Sequence, residues 1–76
     1  MDITRLVAMA NDIAAFFDSE ADKAVAADGV RSHLVRFWDP RMRREIMAHV
    51  QGGGAGLVAT AKAAVALLAN SPNQSK

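Results

Sequence analysis

Asp39-Pro40 is the tightest constraint on what this chain can become. Proline pushes the residue before it out of the α region and is itself favoured at the first position of a helix. The residues on either side follow helical apolar spacing, so the pair marks one helix ending and another starting at once. Asp39 then serves as N-cap, its carboxylate accepting an amide hydrogen of the new first turn. The rest of the chain has to be arranged around that corner.

The unusual side chains collect at the same place. His33 to Arg44 holds the only Trp, one of two prolines and four of six arginines. Charge is distributed to match. Residues 1–28 set six carboxylates against two cations, and residues 29–44 set five arginines against Asp39 alone. Residues 45–76 set two lysines against Glu45, so a net +1 conceals an acidic first third and a basic centre.

Spacing predicts helices on both sides of the corner. Over residues 2–18, Ile3, Leu6, Val7, Ala10, Ile13, Ala14 and Phe17 form an apolar stripe, with Asp2 as N-cap. Met9 and Phe16 make a shoulder that widens the apolar face beyond what a small core covers, so something is expected to lie over them. A second helix begins after Ser19 or Asp22 and runs to about Trp38. Ala27, Val30, Leu34 and Phe37 are its expected buried stripe, flanked by His33 and Trp38. Gly29 inside it costs about 1 kcal/mol relative to alanine, which implies a close helix crossing.

The third helix runs from Pro40 to about Val50 or Gln51, with Met42, Ile46 and Val50 inward and His49 and Met47 at the flanks. Gln51-Gly52-Gly53-Gly54-Ala55-Gly56 stops it, glycine being the usual left-handed terminator. A fourth, alanine-rich helix over about 57–69 places Leu57, Ala61, Ala64, Val65 and Leu68 on one face, and Asn70-Ser71-Pro72 ends it. The expected architecture is all-α, a small three-to-four-helix bundle with an Asp-Pro corner between helices two and three. It forms one domain over residues 1–70, with 71–76 a disordered polar tail.

Seventy-six residues lie near the lower limit for a self-sufficient core, and alanine buries little area per residue. With no cysteine, neither disulfides nor thiolate metal sites can reinforce it, and two isolated histidines make no metal site. Stability must come from regular helix packing or from a partner. Met-Asp-Ile-Thr-Arg lacks a signal-peptide pattern, and no run of about 20 apolar residues exists, so neither a secretory leader nor a membrane span is expected.

Catalysis is not indicated. No nucleophile accompanies either histidine at a suggestive spacing, and no carboxylate pair occupies a foreseeable cleft; a structural role for His33 and His49 is the simpler reading. The glycine run lacks the preceding strand and the Gly-Lys-Ser/Thr ending of a phosphate loop. The arginines carry more information. Arg41, Arg43 and Arg44 stand at the positive end of the third helix, where each exposed cation is unfavourable by roughly 0.3–1 kcal/mol. Arg41 can pair with Glu45 one turn on. Arg43, at the edge of the apolar face, is the least explained by solvation. A nucleic-acid role for this cluster is opposed by the acidic first third of the chain and the near-zero net charge. Phe37, Trp38, Met42 and Arg are residue types enriched at protein interfaces.

The heptapeptide Phe37-Trp38-Asp39-Pro40-Arg41-Met42-Arg43 resembles the signature of the small delta subunit of soluble, molybdenum-containing, NAD-dependent formate dehydrogenases. Leu6-Val7-Ala8-Met9-Ala10-Asn11, Ile13 and Phe16-Phe17 are similar to that family's first helix, and the glycine turn before Leu57 fits its ending. The likeness spans about Thr4 to Ala69 and takes its specificity from the heptapeptide. It implies a cofactor-free, non-catalytic accessory subunit of a bacterial cytoplasmic complex. The alpha subunit of such a complex carries a molybdenum bis-guanine-dinucleotide cofactor and iron–sulfur clusters, while the beta and gamma subunits complete it with FMN and NAD binding. The complex oxidises formate to carbon dioxide. On that reading Phe37, Trp38 and Met42 supply apolar contact to the catalytic subunit, Asp39 and Pro40 set the corner angle, and Arg41, Arg43 and Arg44 meet the partner's carboxylates or carbonyls. Met9 and Phe16 are the further contact candidates. A maturation factor aiding molybdenum cofactor insertion and a small nucleic-acid-binding regulator are the alternatives.

Overall fold

A computed structural model describes residues 2–69. They form four helices, α1 (Ile3–Phe17), α2 (Lys23–Phe37), α3 (Pro40–Gln51) and α4 (Ala59–Ala69), with no strand among the described residues. The polar tail expected over 71–76 lies outside the described residues.

Aspartate starts three of the four helices. Asp2 accepts from the Thr4 amide at 3.0 Å, Asp22 from Ala24 at 3.0 Å, and Asp39 from Met42 at 2.9 Å. Each carboxylate satisfies a first-turn N–H that has no partner within the helix and faces the positive end of the dipole. Asp22 therefore wins over Ser19 as the second cap. Pro40 occupies the start of α3, as the corner requires.

α3 ends in a Schellman arrangement. The Gly54 amide donates to the His49 carbonyl at 2.9 Å and the Gly53 amide to Val50 at 3.0 Å. The left-handed residue is Gly53, at φ 119°, one position later than the first glycine of the run. α4 begins at Ala59, two residues after the expected start. The cause is Asn11 on α1, whose Oδ1 accepts from the Val58 amide and whose Nδ2 donates to the Gly56 carbonyl, both at 2.9 Å. These bonds pin Gly56 and Val58, on either side of Leu57, to α1.

The core gathers Leu6, Ala10 and Ala14 of α1, Val30 and Leu34 of α2, Trp38, Ile46 of α3, Leu57, and Ala61, Ala64 and Val65 of α4. α4 lies against each of the other three helices, and its small side chains allow that close approach. α2 and α3, joined through the corner, make little contact along their lengths. At Gly29 the crossing is as close as expected: an added Cβ would sit 2.6 Å from the Phe17 ring. Among the described residues no helix is long and apolar enough to cross a membrane.

Candidate partner interface

The corner itself is committed to the fold. Trp38 leaves α2 with extended backbone, φ −93° and ψ 140°. That step rotates its side chain off the helical 100° progression and into the core, where it is 5% exposed. Phe37 keeps the helical progression and ends outside, 68% exposed. The expectation of Phe37 on the buried stripe with Trp38 beside it is therefore reversed. Trp38 sits at a cap, where wheel geometry stops applying, and Phe37, at the last helical position, stays exposed although the wheel places it on the stripe.

Arg43 explains the broken dipole rule. Its Nη1 donates to the carbonyls of Trp38 at 2.6 Å and Val35 at 3.1 Å, with Leu34 at 3.5 Å. These are carbonyls of the last turn of α2 and its cap. The cation that is misplaced at the start of α3 is well placed at the end of α2. Arg41 pairs with Glu45 at 3.4 Å across one helical turn, and Arg44 is exposed. Met42 packs partly buried against the core, and Asp39 is occupied as a cap.

The open apolar surface lies elsewhere, between α1 and α2. At one end Met9 and Ile13 face Phe37, with the edge of Trp38 below. The middle is lined by Asp12, Ile13, Phe16, Phe17 and His33. On the α2 side the surface continues over Gly29, Ser32 and Arg36. His33 borders all of it, half-buried with its ring 4.6 Å from that of Phe37. Phe16 stands at the rim with 77% of its surface exposed, its ring edge-on to Phe17 at 5.1 Å. The central depression, about 340 Å³, is at the small end of ligand-pocket sizes and is open to solvent. It suits side chains of another protein better than a small molecule.

Phe16 and Phe37 together leave roughly 300 Å² of apolar surface in water, taking about 200 Å² for a whole Phe side chain. At about 25 cal/mol per Å², covering it contributes about 7 kcal/mol before the cost of association, comparable with the stability of a chain this short. Of the residues singled out in sequence, Met9, Phe16 and Phe37 meet here with Trp38 at the edge. Arg41, Arg43 and Arg44 are not among its lining residues. Sequence reasoning passed over Asp12 and Arg36, which border the groove; their positions beside the Phe16 and Phe37 stripes were the available signal.

A second depression, of about 600 Å³, is lined by Asp18, Lys23, Ala59, Thr60 and Ala63. Its polar groups already serve one another. The Thr60 hydroxyl donates to Asp18 Oδ1 at 2.6 Å, and Lys23 Nζ donates to the Asp18 carbonyl at 2.9 Å. The Thr60 hydrogen bond holds the Asp18 carboxyl below its ordinary value; partial desolvation opposes this and Lys23 adds to it. This cluster ties the end of α1 to the start of α4. His49 Nε2, 2.7 Å from the Ala55 carbonyl, similarly fixes the loop after α3. Among the described residues no three His, Asp or Glu side chains come together as a metal site, and the sequence has no cysteine.

Compared with known proteins, the chain matches the family model of the NADH-dependent formate dehydrogenase delta subunit, FdsD, over residues 5–65. The chain belongs to that family. The match covers α1 to α3 and most of α4, so the resemblance carried by the Phe37–Arg43 heptapeptide is borne out. No curated protein and no solved structure matches the chain. Within the Phe37–Arg43 heptapeptide, Trp38, Asp39, Pro40 and Arg43 all have demanding structural roles here. Their presence is explained by the corner before any contact with another subunit is invoked.

Proposed function

We propose that the chain is a non-catalytic accessory subunit of a cytoplasmic NAD-dependent formate dehydrogenase, docking on the catalytic alpha subunit and supporting its assembly or stability. What supports this most is a large apolar surface, Phe16 and Phe37 on one groove, in a chain whose family is a subunit of such a complex. A contiguous apolar patch of roughly 300 Å² is of the size that is often functional in a small protein. Formate oxidation, the molybdenum cofactor, the iron–sulfur clusters, FMN and NAD belong on this reading to the other subunits. This chain offers no cysteine ligands and no nucleotide motif for them.

A nucleic-acid role loses its main support in the geometry. With Arg43 turned to the carbonyls of α2 and Arg41 sharing its charge with Glu45, too little basic surface is left at α3 for phosphate.

The test is purification of the enzyme from the native host through a tag on the alpha subunit. The accessory role requires this chain in constant ratio with the alpha subunit across fractions with formate-dependent NAD reduction. Its recovery on cofactor-free alpha subunit alone would replace that role with one in maturation.

A further inference from the structure

The groove has a length, an apolar floor and two unlike walls. From Met9 to Phe17 it follows α1 for about 12 Å at 1.5 Å per residue, room for two turns of an incoming helix. Asp12 stands on the α1 wall and makes no hydrogen bond or ion pair among the described residues. Arg36 stands on the α2 wall, its guanidinium 5.9 Å from the centre of the Phe37 ring. The walls thus carry opposite charges, and an occupant has to answer both.

Two occupants do not fit. The chain's own residues 70–76, Asn-Ser-Pro-Asn-Gln-Ser-Lys, offer only Pro72 as an apolar group and cannot fill the floor. Two copies meeting through this groove alone have little more than the two rings, roughly 300 Å², to set against about 800 Å² per partner in a standard interface, whereas a helix from a larger partner can be one part of a wider contact. A single helix laid between the walls covers both rings and reaches both charges within two turns.

We infer that the α1–α2 groove receives a two-turn stretch of amphipathic helix from a partner protein. The stretch presents apolar side chains at i, i+3 or i+4, and i+7, with Lys or Arg on the flank against Asp12 and Asp or Glu on the flank against Arg36. Phe16 and Phe37 are the anchors, one at each wall. The inference rests on the accessory-subunit reading only for the partner being another subunit of the complex.

The experiment places p-benzoylphenylalanine at Phe16, at Phe37 or, as a control on α4, at Leu67 in the full chain. Complex purified from the native host is irradiated and the crosslinked peptides are sequenced. The expected result is that Phe16 and Phe37 capture neighbouring positions of one helical segment with the stated spacing and flanking charges. In addition, Phe16→Ser with Phe37→Ser should weaken association about thirtyfold or more, the effect of losing one hot-spot aromatic, with the circular dichroism spectrum unchanged. Crosslinks from the groove to a second copy of this chain would overturn the inference in favour of self-association. A complex that forms normally but crosslinks only through Leu67 would overturn it while leaving the accessory-subunit reading intact. A chain that associates with no other protein would overturn both.

Discussion

Replacing Arg43 with methionine tests whether this side chain belongs to the fold. Arg43→Met keeps the length and packing of the stem and removes only the donors. Nη1 carries two hydrogens, so of its three carbonyls the closer two, Trp38 at 2.6 Å and Val35 at 3.1 Å, are the ones well served. A hydrogen bond from a charged group contributes about 1.5–3 kcal/mol. Holding the arginine in one conformation costs up to about 2 kcal/mol, and its half-buried position dilutes the gain further. The net expectation is a loss of about 2 kcal/mol, or roughly 8–16 °C in Tm for a domain of this size. Thermal and urea unfolding followed by circular dichroism read it directly. Arg44→Met, on the exposed face of the same helix, is the control and should change stability by no more than about 0.5 kcal/mol. If the two variants behave alike, the bridge from α3 to the end of α2 contributes nothing and the dipole compensation argued for Arg43 is wrong. Association assays on Arg43 or Trp38 variants are for the same reason poor probes of docking: they report lost stability first.

Further tests follow from the other inter-element contacts. Gly29→Ala should fail to deliver the gain of about 1 kcal/mol that helix propensity offers, because its Cβ meets the Phe17 ring; in a Phe17→Ala background the gain should appear, and a double-mutant cycle with no coupling would refute the contact. Asn11→Ala should cost about 1–2 kcal/mol for two hydrogen bonds and release the Val58 amide to fast hydrogen exchange, which would stay slow if α4 were held by packing alone. Asp18 titrates below its ordinary 3.8 in the folded chain, so its contribution is present above that value and lost as pH falls through the lower folded one. Thr60→Val should remove that contribution at neutral pH and flatten the acid side of the stability profile; a profile parallel to the wild type between about pH 6 and about pH 2.5 would show that the Thr60–Asp18 bond has no part in it.

What could be read in the sequence was the local chemistry. Aspartate caps, the Asp-Pro corner and the glycine stop each act on the few residues beside them, and all four helices appear where those signals put them, to within two residues. Gly29 was legible too, since an unexplained glycine within a helix implies a near neighbour. The errors share one cause: partners distant in sequence. Nothing near Val58 announces that Asn11 takes its amide and delays α4. Nothing near Arg43 says that the carbonyls it satisfies belong to the previous helix, although its place at the edge of the apolar face marked it as unusual. For Trp38 the error came from extending helical periodicity one residue into a cap whose backbone had already left the helix; for Phe37, still helical, it came from not knowing that the core ends before the last turn of α2. The groove was half visible, as the shoulder at Met9 and Phe16; its other wall required knowing how α2 lies against α1.

α4 touches every other helix, and of the four it is the last to be synthesised. The first three helices bring Leu6, Leu34, Trp38 and Ile46 together, because α1 packs on both α2 and α3, but the cluster lacks Ala61, Ala64 and Val65 until α4 is made. Phe16 and Phe37, on α1 and α2, precede these α4 residues in the chain. The residues of the open surface are thus synthesised before the last part of the core that supports them.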